Sequence, residues 1–167
     1  MIELAAALAL AGDPSVVPIP IGPPPRYVPA PGARAAAGLA CRSEGRTFRV
    51  HLELFAHRRV VIVPAGIGVD QSGCLYPAHT RQPTGVVEVA HGSRLLLGDL
   101  FRIWGRRLGA HTLLSFRSAA PVRAYVGGKL FPGPPAAVPL TPGAQIVVEL
   151  GAYVPPHPTY LFPRRAS

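Results

Sequence analysis

The sequence has few acidic residues and none of the common catalytic motifs. Only 8 of its 167 residues are Asp or Glu, and no two of them form an obvious pair of the kind that glycosidases use. The chain also lacks a Gly-x-Ser-x-Gly elbow, a P-loop and a dinucleotide fingerprint. We therefore predict a protein that is not an enzyme. A hydrolase with a Ser-His-Asp set of Ser72, His79 and Asp70 is the alternative.

Long runs of basic residues are absent too, although the formal net charge is +9. The arginine pairs at 58–59, 106–107 and 164–165 are separate from one another, and aromatic residues do not alternate with the arginines as a nucleic-acid stacking platform requires. The sequence therefore argues against nucleic acid as the partner. An anionic envelope component, such as a wall polymer or a phospholipid headgroup, or a protein fits this charge better. No apolar run is long enough to span a bilayer.

Proline and glycine, by contrast, are abundant, with 21 and 18 residues, and they favour short elements joined by turns. Residues 1–12 end in an Ala-Leu-Ala pattern that signal peptidase favours, but a basic start is missing. We expect them to be the end of a truncated signal peptide; a disordered apolar end is the alternative. Residues 13–38 predict an extended Pro-rich linker, either a spacer or a leader without a role. Residues 39–162 then form one β-rich domain, before a basic tail at 163–167.

Alternating apolar and polar residues over 48–54 predict the first strand, with Phe48, Val50, Leu52 and Leu54 facing the core. A turn at 56–58 leads into a second strand at 59–63 and so predicts a hairpin. Further strands are predicted over 86–91, 112–116, 122–126, 129–131 and 145–150, with a helix over about 97–107. The predicted fold class is α+β, mostly β. Antiparallel strands and one short helix would form a β-grasp-like roll or a small sandwich.

Cys41 and Cys74 are the only cysteines, and an even number in a chain with export features predicts a disulfide. Free thiols or half of a metal site are the alternatives, although the spacing matches no standard zinc pattern. The bond would close a loop of about 33 residues and pin the predicted long loop at 64–85. We therefore expect an extracytoplasmic domain that binds its partner through this loop and the adjoining strand faces.

Three histidines offer a second hypothesis. His51 lies on the polar face of the first strand, His79 in the long loop, and His91 at the end of the third predicted strand. Imidazole is the commonest ligand for Cu or Zn, so a site formed by these three is the alternative to a domain without a cofactor. Glu53 or Glu88 could complete it. The short spacing typical of such sites is missing, and ordinary surface or hydrogen-bonded histidines remain an alternative.

Several segments within about residues 39–162 together resemble a family of small exported bacterial proteins of unknown function. They are VHLEL at 50–54, VPAGIGV at 63–69, GCLYPAHT at 73–80, LGDLFRIWG at 97–105, PLTP at 139–142 and IVVE at 146–149.

The family pattern has additional histidines: one before the residue matching His51, one in a His-Thr-His-Asp loop and one in the third strand. Here Arg49, Arg81 with Gln82, and Glu88 stand at those places. The resemblance implies the same fold, with some potential metal ligands of the relatives replaced.

Overall fold

The computed structural model describes residues 27–36, 38–42, 44–155 and 160–162. The predicted signal peptide at 1–12 and the basic tail at 163–167 lie outside these residues, as does the first half of the predicted linker.

Ten strands, one α-helix and one short 3-10 helix form in the described part of the chain. The helix α1 spans Leu97–Trp104, and the 3-10 helix spans Pro135–Ala137. The strands are β1 (Thr47–Ala56), β2 (Arg59–Val61), β3 (Ala78–His79), β4 (Val86–Ala90), β5 (Leu108–Gly109), β6 (Thr112–Leu113), β7 (Phe116–Arg117), β8 (Val122–Val126), β9 (Lys129–Leu130) and β10 (Gln145–Leu150). The prediction of a mostly β, α+β fold with one short helix is confirmed.

The main sheet has seven strands in the order β3-β4-β1-β10-β8-β9, with β2 paired to the end of β1. Its central pair, β1 with β10, is parallel, and the other pairs are antiparallel. The parallel pair was not predicted, because these strands are far apart in sequence and no turn fixes their direction. Strands β5, β6 and β7 form a separate small sheet. The described fold thus has one α-helix, a main sheet of mixed parallel and antiparallel strands and a small antiparallel sheet.

The inner face of the main sheet and one side of α1 share the hydrophobic core. Val50, Leu52 and Leu54 of β1 are buried as predicted, and Phe48 packs against them with part of its surface exposed. From the helix, the buried residues are Leu97, Leu100, Phe101, Ile103 and Trp104. Burial of this set is the main force that holds the helix on the sheet.

The helix is shorter than predicted and ends at a defined residue. At its start, the Asp99 carboxylate accepts a hydrogen bond of 2.9 Å from the backbone N–H of Leu96. At its end, Gly105 adopts a left-handed conformation with φ of 70° and terminates the helix after Trp104.

The turn between β1 and β2 contains no glycine, yet both of its central residues are left-handed. His57 has φ of 50° and Arg58 has φ of 63°. Two hydrogen-bonding contacts hold His57: its backbone N–H donates to Leu150, and its Nε2 lies 3.0 Å from the Arg117 carbonyl oxygen. The predicted hairpin is present, and its turn has the dihedral pattern that suits a two-residue hairpin loop.

Part of the predicted linker contacts the domain. Tyr27 forms a parallel bridge with Val61, and the Ala30 carbonyl accepts a 3.0 Å hydrogen bond from the Trp104 indole N–H. Ala36 is buried in the core. Residues 27–36 are therefore attached to the domain rather than extended away from it.

The described C-terminal residues lie against the outer face of the main sheet. The Val154 N–H donates to Glu149 at 3.2 Å, and Val154 packs with a small buried cluster that includes Tyr125. Further along, the amide of Gln145 donates to the Tyr160 carbonyl at 3.3 Å. As a result, polar residues of β10 that the sequence pattern places on the outer face are covered by the chain itself.

Candidate functional site

A disulfide fastens the predicted long loop to the segment before β1. The Sγ atoms of Cys41 and Cys74 are 2.12 Å apart, and their Cα atoms are 5.6 Å apart. Next to them, Arg42 and Leu75 exchange two backbone hydrogen bonds of 2.8 and 3.0 Å. The bond and the bridge together fix the relative position of these two segments.

Asp70 organises the part of the loop that precedes Cys74. Its Oδ1 accepts hydrogen bonds from the Ser72 hydroxyl at 2.7 Å and from the backbone N–H groups of Ser72 and Cys74, each at 2.9 Å. The hydrogen bond from the Ser72 hydroxyl is the main cause that lowers the pKa of the Asp70 carboxyl. The Ser72 hydroxyl therefore bonds directly to Asp70, and the imidazole of His79 instead contacts Tyr76 and Glu88. A serine-to-histidine contact, which the hydrolase alternative requires, is not present among these groups.

Beside the disulfide lies a cleft of about 450 Å³, a size typical of small-molecule sites. It is bounded by three stretches of chain: the segment before β1, the loop before β3, and the end of β4. The residues lining it are Ala40, Arg42, Glu44, Gly45, Arg46, Thr47, Leu75, Tyr76, Pro77, His79, Ala90 and His91.

Two exposed arginines line one side of this cleft. Within the described part of the chain, the guanidinium groups of Arg42 and Arg46 have no hydrogen bond or ion pair. The loop side contributes the partly buried Leu75, Tyr76 and Pro77. The cleft thus combines available positive charge with an apolar surface.

His79 lies at the buried end of this arrangement, with 3% of its surface exposed. Its Nδ1 is 3.1 Å from the Tyr76 carbonyl oxygen, which can only accept, so Nδ1 carries the proton. Its Nε2 lies 3.4 Å from the Glu88 carboxylate but makes no hydrogen bond with any described residue. In the neutral imidazole this nitrogen presents a lone pair.

Glu88 is shared by several neighbours. It lies in β4, where strand pairing puts His79 of β3 opposite it on one side and Arg49 of β1 opposite it on the other. Its carboxylate also accepts a hydrogen bond of 3.1 Å from Nε of Arg81, which in turn contacts Glu44. Arg81 therefore contacts both of these acids, Glu44 and Glu88, whereas Arg42 and Arg46 pair with no acid among the described residues.

The structure separates the three histidines proposed as metal ligands. His79 and His91 line the same cleft, and His91 is exposed. His51 is 6% exposed and lines a different groove, where its ring stacks on Tyr160 with a centroid distance of 3.5 Å. Among the described residues, the one set of three potential ligand atoms within 4.8 Å of one another comes from Cys41, Asp70 and Cys74.

Sequence analysis missed the two arginines of the cleft and the buried acid Glu149. Arg42 directly follows Cys41, so its position beside the loop could have been inferred from the predicted disulfide. The alternation of residues in β10 puts Glu149 on the outer face of its strand, but only the structure shows that it is fully buried. Burial raises the pKa of the Glu149 carboxyl above its ordinary value, although the Val154 N–H and Arg123 act in the opposite direction.

Comparisons with protein-family models, with curated proteins and with solved structures find no match. In the described residues, no helix has the length and apolar character needed to cross a membrane. The function must therefore be inferred from the geometry of the chain itself.

Proposed function

We propose that this protein is a non-enzymatic extracytoplasmic domain that binds a phosphodiester of the cell envelope in the cleft beside its disulfide. The ligand is anionic, and two sources share its chemistry: a wall polymer with a phosphodiester backbone and a phospholipid headgroup. The observation that carries the proposal is the position of Arg42 and Arg46, whose guanidinium groups have no ion pair with any described residue, at the edge of a cleft with an apolar side.

Charge and shape both support this assignment. Guanidinium groups match the geometry of phosphate oxygens, and two of them on one rim can bind neighbouring oxygens of one phosphodiester. Leu75, Tyr76 and Pro77 provide an apolar surface for the glycerol or sugar part of such a ligand. The net charge of +9 would accelerate the approach of any polyanion.

The disulfide supports both the extracytoplasmic location of the protein and the rigidity of the site. Disulfides persist in oxidising compartments outside the cytoplasm. Here the bond holds together two of the three segments that form the cleft, so a ligand does not have to order them.

The test is a binding titration with poly(glycerol phosphate) and, separately, with vesicles of phosphatidylglycerol in phosphatidylcholine. We expect binding that weakens with added salt and is reduced at least tenfold by the double substitution Arg42→Ala and Arg46→Ala. Binding of the soluble polymer alone would identify a wall polymer as the source. Binding of vesicles alone would identify a phospholipid.

A matched variant separates the site from general charge. Arg59→Ala with Arg107→Ala removes the same two charges from exposed positions that do not line the cleft. Equal losses in the two double variants, or no binding to either anion, would contradict the proposal.

One observation favours a second candidate function, the binding of Cu or Zn. A histidine whose Nδ1–H donates to a backbone carbonyl has the orientation that metal-ligating histidines adopt, with Nε2 directed at the metal. His79 has this orientation, and the Glu88 carboxylate lies beside its Nε2. A metal there would compete with Arg81 for the same carboxylate.

This second candidate is tested with the oxidised protein, in which the cysteine sulfurs are not available as ligands. Titration with Cu(II) and Zn(II) should show binding that His79→Gln abolishes and His51→Gln leaves unchanged. Loss of binding in both variants would instead support a site that uses His51 as well as His79, as in the set of His51, His79 and His91. Failure of the unsubstituted protein to bind either ion would contradict the metal-binding hypothesis.

A further inference from the structure

The Cys41–Cys74 disulfide lies next to a carboxylate that is held in place by other groups. Asp70 Oδ1 accepts three hydrogen bonds, from the hydroxyl and backbone of Ser72 and from the backbone of Cys74. These bonds leave the other oxygen, Oδ2, directed at the disulfide, 3.8 Å from Cys41 Sγ. The carboxylate is thus oriented by the loop before any ligand arrives.

The three groups have the spacing of a metal site. One ligand atom from each of Cys41, Asp70 and Cys74 lies within 4.8 Å of the other two. In a tetrahedral zinc site, Zn–S bonds of about 2.3 Å and Zn–O bonds of about 2.0 Å place ligand atoms roughly 3.5 to 3.8 Å apart. The Asp70-to-Cys41 distance already falls in this range, and separation of the two sulfurs on reduction would bring them into it.

We propose that reduction of the Cys41–Cys74 disulfide creates a Zn(II) site formed by both thiolates and the Asp70 carboxylate. The reductant is a dithiol: it gives two electrons and two protons to the disulfide, which becomes two thiols, and is itself oxidised to a cyclic disulfide. On metal binding each thiol releases its proton to solvent, and two S–Zn bonds and one O–Zn bond form. A water molecule occupies the fourth position.

The site is accessible to these reactants. All three residues are partly exposed, so neither the reductant nor the ion has to penetrate the core. Arg42 and Leu75, which line the cleft, directly follow the two cysteines. Exchange of the covalent bond for a metal therefore keeps the two segments linked, and the oxidised and the metal-bound states can both hold the cleft together.

The test uses the full chain in two forms, oxidised and reduced with dithiothreitol that is then removed anaerobically. Co(II) is added first, because thiolate ligands give it an intense near-ultraviolet charge-transfer absorption, and Zn(II) is then used to displace it. We expect the reduced chain to bind one Co(II) with this thiolate absorption, and we expect the oxidised chain to show no such absorption. Asp70→Asn should weaken binding by about tenfold to a hundredfold, while Asp99→Asn, at the start of α1, should not change it.

Circular dichroism on the same samples keeps the proposal testable if the reduced chain unfolds. In that case Zn(II) should restore the spectrum of the oxidised protein in the unsubstituted chain, and at higher concentrations in Asp70→Asn. The proposal is overturned if the folded reduced chain takes up no Co(II), if an unfolded one is not restored by Zn(II), or if Asp70→Asn binds as tightly as the unsubstituted protein.

Discussion

The ring of Tyr160 stacks on His51 with a centroid distance of 3.5 Å and an angle of 9° between the planes. His51 belongs to the central strand of the sheet, whereas Tyr160 comes from the C-terminal segment. This contact, together with the Gln145-to-Tyr160 hydrogen bond, explains why a histidine on the polar face of a strand is only 6% exposed.

If Tyr160 covers His51, its removal should make the imidazole reactive. We expect Tyr160→Ala to increase the rate of His51 modification by diethyl pyrocarbonate several-fold, as followed by peptide mass spectrometry. The exposed His91 provides an internal reference in the same sample. Tyr153→Ala, which removes an exposed tyrosine ring 6.2 Å from Tyr125, is the matched control and should leave the rate at His51 unchanged. An unchanged rate in Tyr160→Ala would show that this ring does not shield His51.

The disulfide should contribute a large part of the folding free energy. Its loop of 33 residues corresponds to about 3 to 4 kcal/mol of stabilisation through the smaller entropy of the unfolded chain. We expect the double variant Cys41→Ser and Cys74→Ser to lose this amount in urea unfolding measured with a metal chelator present. Reduction of the unsubstituted protein under the same conditions should give a similar loss. A change below about 1 kcal/mol would mean that the loop is held mainly by its hydrogen bonds.

Local sequence patterns predicted the strands and the helix well where the chain alternates regularly. The six residues of β10 were predicted with the observed bounds, and so were the five of β8. The predicted strand at 112–116 is instead two short strands, because Leu114 adopts a left-handed φ of 58° and turns the chain. No residue type marks that turn, since leucine is uncommon in this conformation.

Another position where the sequence departs from local preference is Arg58, whose φ is 63°. Glycine adopts this conformation without the steric cost that an L side chain pays, and it is common at the second position of such turns. Arg58→Gly should therefore raise the free energy of unfolding by about 0.5 to 1 kcal/mol. Arg59→Gly, one residue later in β2, should lower it by a similar amount. Arg59 has no left-handed conformation for glycine to relieve, and glycine loses more conformational entropy on folding than arginine does. Destabilisation by Arg58→Gly would indicate that the arginine side chain makes a compensating contribution.

The candidate site could be predicted only in part. The cysteine pair and the loop it tethers follow from residue counts and spacing. The grouping of Arg42 and Arg46 with His79 and His91 does not, because it depends on which strands lie side by side in the sheet. The separation of His51 from His79 has the same origin: β4 lies between their strands.

Because Glu149 is buried, the free energy of unfolding should depend on pH in a defined direction. The carboxyl is fully buried, and burial raises its pKa above the ordinary value of 4.5. The native state therefore holds the proton more tightly than the unfolded state does. The resulting stabilisation is fully present below pH 4.5 and is lost as the pH rises through the native pKa.

The substitution Glu149→Gln imitates the protonated carboxyl and should remove this loss. We expect its free energy of unfolding, relative to that of the unsubstituted protein, to increase with pH above 4.5 and then to become constant. Arg123 remains satisfied in part, because it also donates to the Gly151 carbonyl at 3.1 Å. Urea unfolding over a series of pH values measures the difference, and Glu44→Gln, at an exposed acid that pairs with Arg81, reports the effect of losing one exposed negative charge together with its ion pair. A difference for Glu149→Gln that falls as the pH rises would mean that Arg123 stabilises the ionised carboxylate more than burial destabilises it.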